Sequence, residues 1–282
     1  MTLEQLSANR MFGGRQLKLK HASSSLNCDM IFSIYLPPQA DQGRVPVIYW
    51  LSGLTCTDDN FVQKAGAQRY AAEYGVAIIC PDTSPRGEDV PDDENQAWDF
   101  GLGAGFYVNA TQAPWNRHYR MDDYVTRELP QVLRNSGLPV DVDHCSIMGH
   151  SMGGHGALTI ALKNPGVYKA VSAFSPICSP MQCPWGHKAL SGYLGDTKEA
   201  WAQYDACALI SNAKERLHIL VDQGQDDQFL TEQLKPELLQ QACQDARHPL
   251  TLRLHAGYDH SYFFIATFIG EHVAHHAEAL WA

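Results

Sequence analysis

The feature that most limits how this chain can fold is a serine set between glycines, Gly149-His150-Ser151-Met152-Gly153. It follows directly on the strand-like residues 145–148 and directly precedes a segment of helical period, 152–164. A serine in that context occupies a strained strand-to-helix turn. Glycines on either side remove side chains that would collide with neighbouring backbone, and the following helix aims the positive end of its dipole at the hydroxyl. Such a turn also requires a sheet whose strands end where helices begin.

The remaining pattern agrees. Apolar, β-branched runs at 30–36, 45–51, 76–80, 145–148, 170–174, 217–221 and 250–255 read as strands. Helical segments lie between them: 60–74 after the Asp58-Asp59 cap, 122–135 ending near Gly137, 152–164 ending before Pro165, and 235–246 ending before Pro249. Strands buried on both faces and separated by helices predict an α/β fold, with a mostly parallel central sheet flanked by helices. The leading strand or two can be antiparallel, because 30–36 reaches Val45 through a proline-containing turn with no helix. No repeat or linker interrupts the 282 residues, which read as a single domain, 1–282. Residues 82–120 have no clear period, and an unpatterned segment that long usually carries function.

Composition narrows the partners. The chain is 45% hydrophobic and 18% charged, which excludes a disordered or fibrous protein. Its formal net charge is -10 and its Lys and Arg residues form no cluster, so neither a nucleic acid nor an anionic membrane finds counter-charge. Residues 1–20 lack the basic start and apolar core of an export signal, and no apolar stretch approaches the roughly 20 residues needed to span a bilayer. The eight cysteines therefore read as reduced thiols, and the expected compartment is the cytoplasm.

A serine hydroxyl is a poor nucleophile at neutral pH; it needs a general base, and the base needs an acid to fix its tautomer. On such turns the chain order is serine, acid, histidine. Two later strands run into suitable turns at their carboxyl ends, where open α/β sheets place their sites. Residues 217–221 lead into Asp222-Gln223-Gly224-Gln225-Asp226-Asp227, and 250–255 lead into Ala256-Gly257-Tyr258-Asp259-His260. Of the thirteen histidines, His260 is the base candidate, while His255 reads as structural and His150 as packing. Asp226 and Asp227 compete for the acid, and the spacing of three residues after Gly224 favours Asp227. Asp222 would still lie in its strand, and Asp259 adjoins the base too closely to reach its Nδ1.

The oxyanion formed by attack needs two donors, commonly the N–H after the nucleophile and one from the loop after an early strand. Met152 supplies the first. The strand 45–51 opens into Ser52-Gly53-Leu54-Thr55-Cys56, which makes Leu54 the second. Other constellations fall short. Gly101-Leu102-Gly103-Ala104-Gly105-Phe106 lacks the third glycine of a dinucleotide loop, Cys178 and Cys183 read as free thiols, and His272, His275 and His276 read as a solvated helix face rather than metal ligands. No metal and no cofactor is expected.

With these residues placed, the chain resembles the S-formylglutathione hydrolases of the esterase D family from about Met11 to its end. The resemblance rests on Leu51-Ser52-Gly53-Leu54-Thr55-Cys56-Thr57-Asp58, on Gly103-Ala104-Gly105-Phe106-Tyr107-Val108-Asn109-Ala110-Thr111 with Pro114-Trp115, and on Gly149-His150-Ser151-Met152-Gly153-Gly154-His155-Gly156. It continues through Pro184-Trp185-Gly186, Gly192-Tyr193-Leu194-Gly195, Asp222-Gln223-Gly224 with Asp227, and Gly257-Tyr258-Asp259-His260-Ser261-Tyr262. The first ten residues and Met181-Gln182-Cys183 depart from it. The resemblance implies an α/β-hydrolase fold, a Ser151, Asp227 and His260 triad, hydrolysis of S-formylglutathione to glutathione and formate in formaldehyde detoxification, and a homodimer. Formyl is the smallest acyl group, so a narrow pocket is expected, with Trp98, Phe106 and Tyr107 as candidates for its wall. Cys56, two residues past Leu54, would sit at the mouth as either a reactive or an inert thiol. The rival readings are a carboxylesterase of broad specificity for short acyl esters and a non-catalytic binding protein that keeps the same fold.

Overall fold

Among the residues described by the computed structural model, 3–282, nine strands form one sheet. The first two residues of the N-terminal stretch 1–20 lie outside that description. In chain order the strands are β1 (Glu4–Met11), β2 (Gly14–Ser23), β3 (Cys28–Leu36), β4 (Val45–Leu51), β5 (Ala77–Pro81), β6 (Val140–His150), β7 (Tyr168–Phe174), β8 (Ile219–Gly224) and β9 (Leu250–His255). Across the sheet they run β1-β2-β3-β5-β4-β6-β7-β8-β9. The pairs from β1 to β5 are antiparallel, and every pair from β5 to β9 is parallel. The α/β expectation and the antiparallel lead both hold.

Burial explains the layering. Along β4 every side chain is buried, with Val47, Tyr49 and Leu51 joining one core while Ile48 and Trp50 join the other, as a period of two requires when both faces are covered. The helix Met152–Lys163 packs into the first core and the helices Ala67–Tyr74 and Tyr262–Trp281 into the second. Burying side chains of Trp50 size removes apolar surface from water at about 25 cal/mol per Å².

Four differences from the sequence reading have physical reasons. The strands β1 and β2 went unread because β1 is exposed along nearly its whole length and β2 is held by alternate residues only, among them Leu17, Leu19 and His21. The segment 60–74 is two helices, Asp59–Lys64 and Ala67–Tyr74, split at Gly66, whose φ is 67°. The segment 122–135 is interrupted by a wide π turn, Tyr124–Glu128, just before Pro130, which lacks the N–H to continue a regular ladder. The largest correction concerns His272, His275 and His276, read as a solvated face. His272 and His276 are fully buried on the 20-residue helix Tyr262–Trp281, and both bond Ser172 Oγ of β7, at 2.8 and 2.7 Å. No helix among the described residues is long and apolar enough to cross a membrane.

Burial holds several of these rings neutral. It lowers the pKa of His155 to about 4 and that of His275 to about 4, and drives His150 and His276 well below the usual range. His155 Nε2–H donates to the Phe106 carbonyl at 3.0 Å, consistent with a neutral ring. The folded chain thus refuses protons that the unfolded chain takes up below about pH 6.5, so stability is full above that pH and falls as pH drops toward 4. His155 alone accounts for about 2 kcal/mol between pH 7 and pH 5. Urea midpoints measured at these two pH values are expected to be clearly lower at pH 5, and equal midpoints would contradict the neutral burial of these rings.

Candidate active site

The carboxyl ends of β4, β6, β8 and β9 converge on one cavity of about 360 Å³. Ser151 lies between β6 and the helix Met152–Lys163 with φ 57° and ψ −118°. A residue with a side chain holds that conformation at a cost of roughly 1–3 kcal/mol, so its surroundings must enforce it. They do so through both backbone groups: Ser151 N–H donates to Phe174 O at 3.0 Å, and Ser151 O accepts from His155 N–H at 2.9 Å and Ile177 N–H at 3.2 Å. The flanking glycines are obligatory. A Cβ on Gly153 would lie 1.9 Å from Leu51 O, and one on Gly149 would lie 2.2 Å from Gly153 O.

The loop after β4 closes over the serine, and a Cβ on Gly53 would approach Ser151 Cβ to 3.1 Å. Leu54 N–H in this loop and Met152 N–H at the start of the helix Met152–Lys163 have no acceptor among the described residues, and both residues flank the serine site. The unpatterned stretch braces this loop. Gly103 O accepts from Thr55 N–H at 2.9 Å, Gly103 N–H donates to Ser84 Oγ at 2.8 Å, and Arg86, paired with Asp82 at 2.9 Å, donates to Cys56 O at 3.2 Å.

His260 and Asp227 reach the site from adjacent strand ends. The turns after β8 and β9 are tied by Gln225 N–H to His255 O and Asp226 N–H to Tyr258 O, both at 2.9 Å. Gly224 permits this approach, since a Cβ there would lie 2.3 Å from Tyr258 O. His260 Nδ1 is 2.5 Å from Asp227 Oδ2, and the other carboxylate oxygen accepts from Phe229 N–H at 2.9 Å. The Asp227 side chain is fully buried, whereas Asp226 is exposed on the outside of the turn. With Nδ1–H committed to the carboxylate, Nε2 is the ring atom left to accept a proton. Ser151 and His260 line the same cavity.

Of the sequence candidates, Ser151, His260, Leu54, Cys56 and Trp98 line the cavity, with Asp227 directly behind His260. Phe106 and Tyr107 do not line it, which corrects their expected place in its wall. Both are fully buried at positive φ; Tyr107 OH donates to Ser52 O at 2.9 Å, and Phe106 O holds His155, so they support the loop and the helix from behind. The aromatic wall is instead a chain of rings: Trp98 against Trp185 at 5.4 Å, Trp185 against Phe229 at 4.7 Å, and Phe229 edge-on to His260 at 5.1 Å. Trp185 belongs to Pro184-Trp185-Gly186, which assigns it no role, and Phe229 carries no signal beyond following Asp227 by two. Burial pushes the Cys56 thiol up, the opposite of what makes a thiolate. His150 is buried beside His260, ring centres 4.4 Å apart and tilted by 43°, and burial together with that neighbour keeps it neutral.

A second Ser, His and Asp set lies deeper and escaped the sequence reading. His272 bonds Ser172 Oγ at 2.8 Å and Asp222 Oδ2 at 3.2 Å, and Arg253 grips the same carboxylate at 2.5 and 2.6 Å. Burial opposes the charge on Asp222, but His272 and Arg253 outweigh it and hold the carboxyl well below the usual range. Ser172, His272 and Asp222 are all fully buried, and none of them lines the cavity that holds Ser151. The set ties β7, β8 and β9 to the C-terminal helix.

Comparisons with known proteins follow this geometry. The esterase family model matches residues 23–277. The S-formylglutathione hydrolase of Rattus norvegicus is 55% identical over 282 residues, covering 99% of each chain. A solved S-formylglutathione hydrolase from Agrobacterium tumefaciens superposes with a TM-score of 0.95 at 48% identity, covering 98% of this chain and 99% of the other. A fluorophosphonate-binding serine hydrolase of Staphylococcus aureus, at 17% identity and a TM-score of 0.73 over 94% of this chain and 98% of its own, shares the fold alone. The elbow makes its own prediction. Gly153→Ala forces backbone apart at Leu51, and overpacking of that kind costs at least about 1–3 kcal/mol; its thermal midpoint should fall by several degrees with loss of hydrolysis, and an unchanged midpoint would refute the close approach.

Proposed function

The chain belongs to the esterase family as an S-formylglutathione hydrolase, and on that premise we propose that Ser151, His260 and Asp227 carry out the thioester hydrolysis and that its task is formaldehyde detoxification. The observation that carries the assignment is the Asp227-bound His260 in the cavity of the strained Ser151. Ser151 Oγ attacks the formyl carbonyl carbon while His260 Nε2 takes its proton. The oxyanion lies between the N–H groups of Leu54 and Met152, where the helix N-terminus favours negative charge. Collapse breaks the C–S bond. A thiolate leaves readily, since a free thiol has a pKa of about 8.5, so proton donation by His260 matters less than in amide cleavage. His260 passes the serine proton to the departing glutathione sulfur and is neutral again; water then gives a proton to His260 and attacks the formyl-serine, and formate departs as Ser151 recovers its proton. The Trp98, Trp185 and Phe229 rings confine the acyl end, which suits a small acyl group.

Two comparisons test this. Ser151→Ala and Asp227→Asn should each lower kcat for S-formylglutathione by at least about 10³-fold, as removal of such residues does in serine hydrolases. Asp226→Asn and Ser172→Ala, where folded, should retain most of it; the reverse ranking would overturn the assignment. Against a broad carboxylesterase, kcat/KM for S-formylglutathione should far exceed that for a simple aryl acetate, and comparable values would favour the broad enzyme.

A further inference from the structure

The cavity above Ser151 has a polar end that the hydrolytic residues do not use. Lys64 is the one Lys or Arg among its lining residues, and no Asp or Glu lines it, on a chain whose net charge is -10. Lys64 closes the helix Asp59–Lys64, which begins just after the oxyanion loop, so the same run of chain that positions Leu54 also sets this cation at the rim. Its Nζ lies 5.6 Å from the centre of the Tyr262 ring, which lines the same cavity. Other cations nearby are committed: Lys18 to Asp58 and Asp59, Arg86 to Asp82, and Lys188 to Asp99. Lys64 has no carboxylate partner among the described residues. Asn60 stands one helical turn earlier, where i and i+4 side chains meet. It lines the same cavity, and its Oδ1 accepts from Thr57 N–H at 2.8 Å, which leaves its NH₂ group uncommitted. A lysine and an amide N–H side by side, with no acid facing them, form a receptor for a carboxylate.

We propose that Lys64, assisted by Asn60, binds a carboxylate of the glutathione leaving group and so makes the site prefer glutathione thioesters to neutral esters. Glutathione carries two carboxylates against one ammonium, so its thioesters are anionic, whereas an aryl acetate offers nothing to this pair. The inference rests on the reading of the site as a glutathione thioester hydrolase. Because Lys64 is exposed, its contact acts through substrate binding and not through the fold.

The test is the ratio of kcat/KM for S-formylglutathione to kcat/KM for 4-nitrophenyl acetate, in the intact protein and in Lys64→Met and Lys64→Arg. Lys64→Met should lower the ratio roughly tenfold, the size of one lost charge-assisted hydrogen bond, chiefly by raising KM for the thioester. Lys64→Arg should restore most of it. Raising ionic strength should depress kcat/KM for the thioester in the intact protein and much less in Lys64→Met. An unchanged ratio in Lys64→Met, or an equal loss on both substrates, would overturn the proposal. If the intact protein shows no preference for the thioester, the functional reading itself fails; if it does and Lys64→Met keeps that preference in full, only the role of Lys64 fails.

Discussion

The close approach of β4 and β6 is the constraint on which the rest depends. Leu51 pairs with Gly149, and the backbone of Leu51 comes so near Gly153 that no side chain fits between them. That contact sets two things at once: the turn that strains Ser151, and the start of the loop that brings Gly53 against it and Leu54 into the same cavity. In the proposed mechanism, a donor pair fixed by backbone geometry needs no rearrangement when charge develops, which is where electrostatic stabilisation is most effective. The stretch 82–120 serves the same contact from outside by bonding the loop at Thr55 and Cys56.

The other half of the site depends on β8 and β9 lying side by side. The turn after β8 donates two backbone bonds to the end of β9 and its turn, and Gly224 lets them meet, so His260 reaches Asp227 across 33 residues of sequence. Beneath them the buried Ser172, His272 and Asp222, gripped by the half-buried Arg253, tie the same strands to the C-terminal helix. Removing one member would leave an unpaired buried charge or polar group, so the network specifies how these strands sit. Its resemblance to a catalytic triad is one of composition, since Ser172 is fully buried away from the cavity that holds Ser151.

Much of this was legible in the chain. Ser151, with glycines around it and a strand and helix on either side, could be read because local backbone chemistry allows few alternatives; His260 and the preference for Asp227 followed from strand ends and chain order. What escaped depended on packing across distance. Phe106 and Tyr107 lie in a stretch without period, and only the fold shows them turned inward at positive φ to hold Ser52 and His155. His272 and His276 looked solvated because histidine is polar, yet Ser172 awaits them on β7. Lys64 had no motif at all, and its interest lies in what surrounds it: a cavity free of acids within an acidic chain.

The most direct test of the central claim, that Ser151 is the nucleophile, is to treat the folded protein with a fluorophosphonate and map the modified peptide by mass spectrometry. The account predicts one label per chain, on Ser151, with hydrolysis lost in step with labelling. A label on Ser172, or full hydrolysis by protein labelled at Ser151, would contradict it.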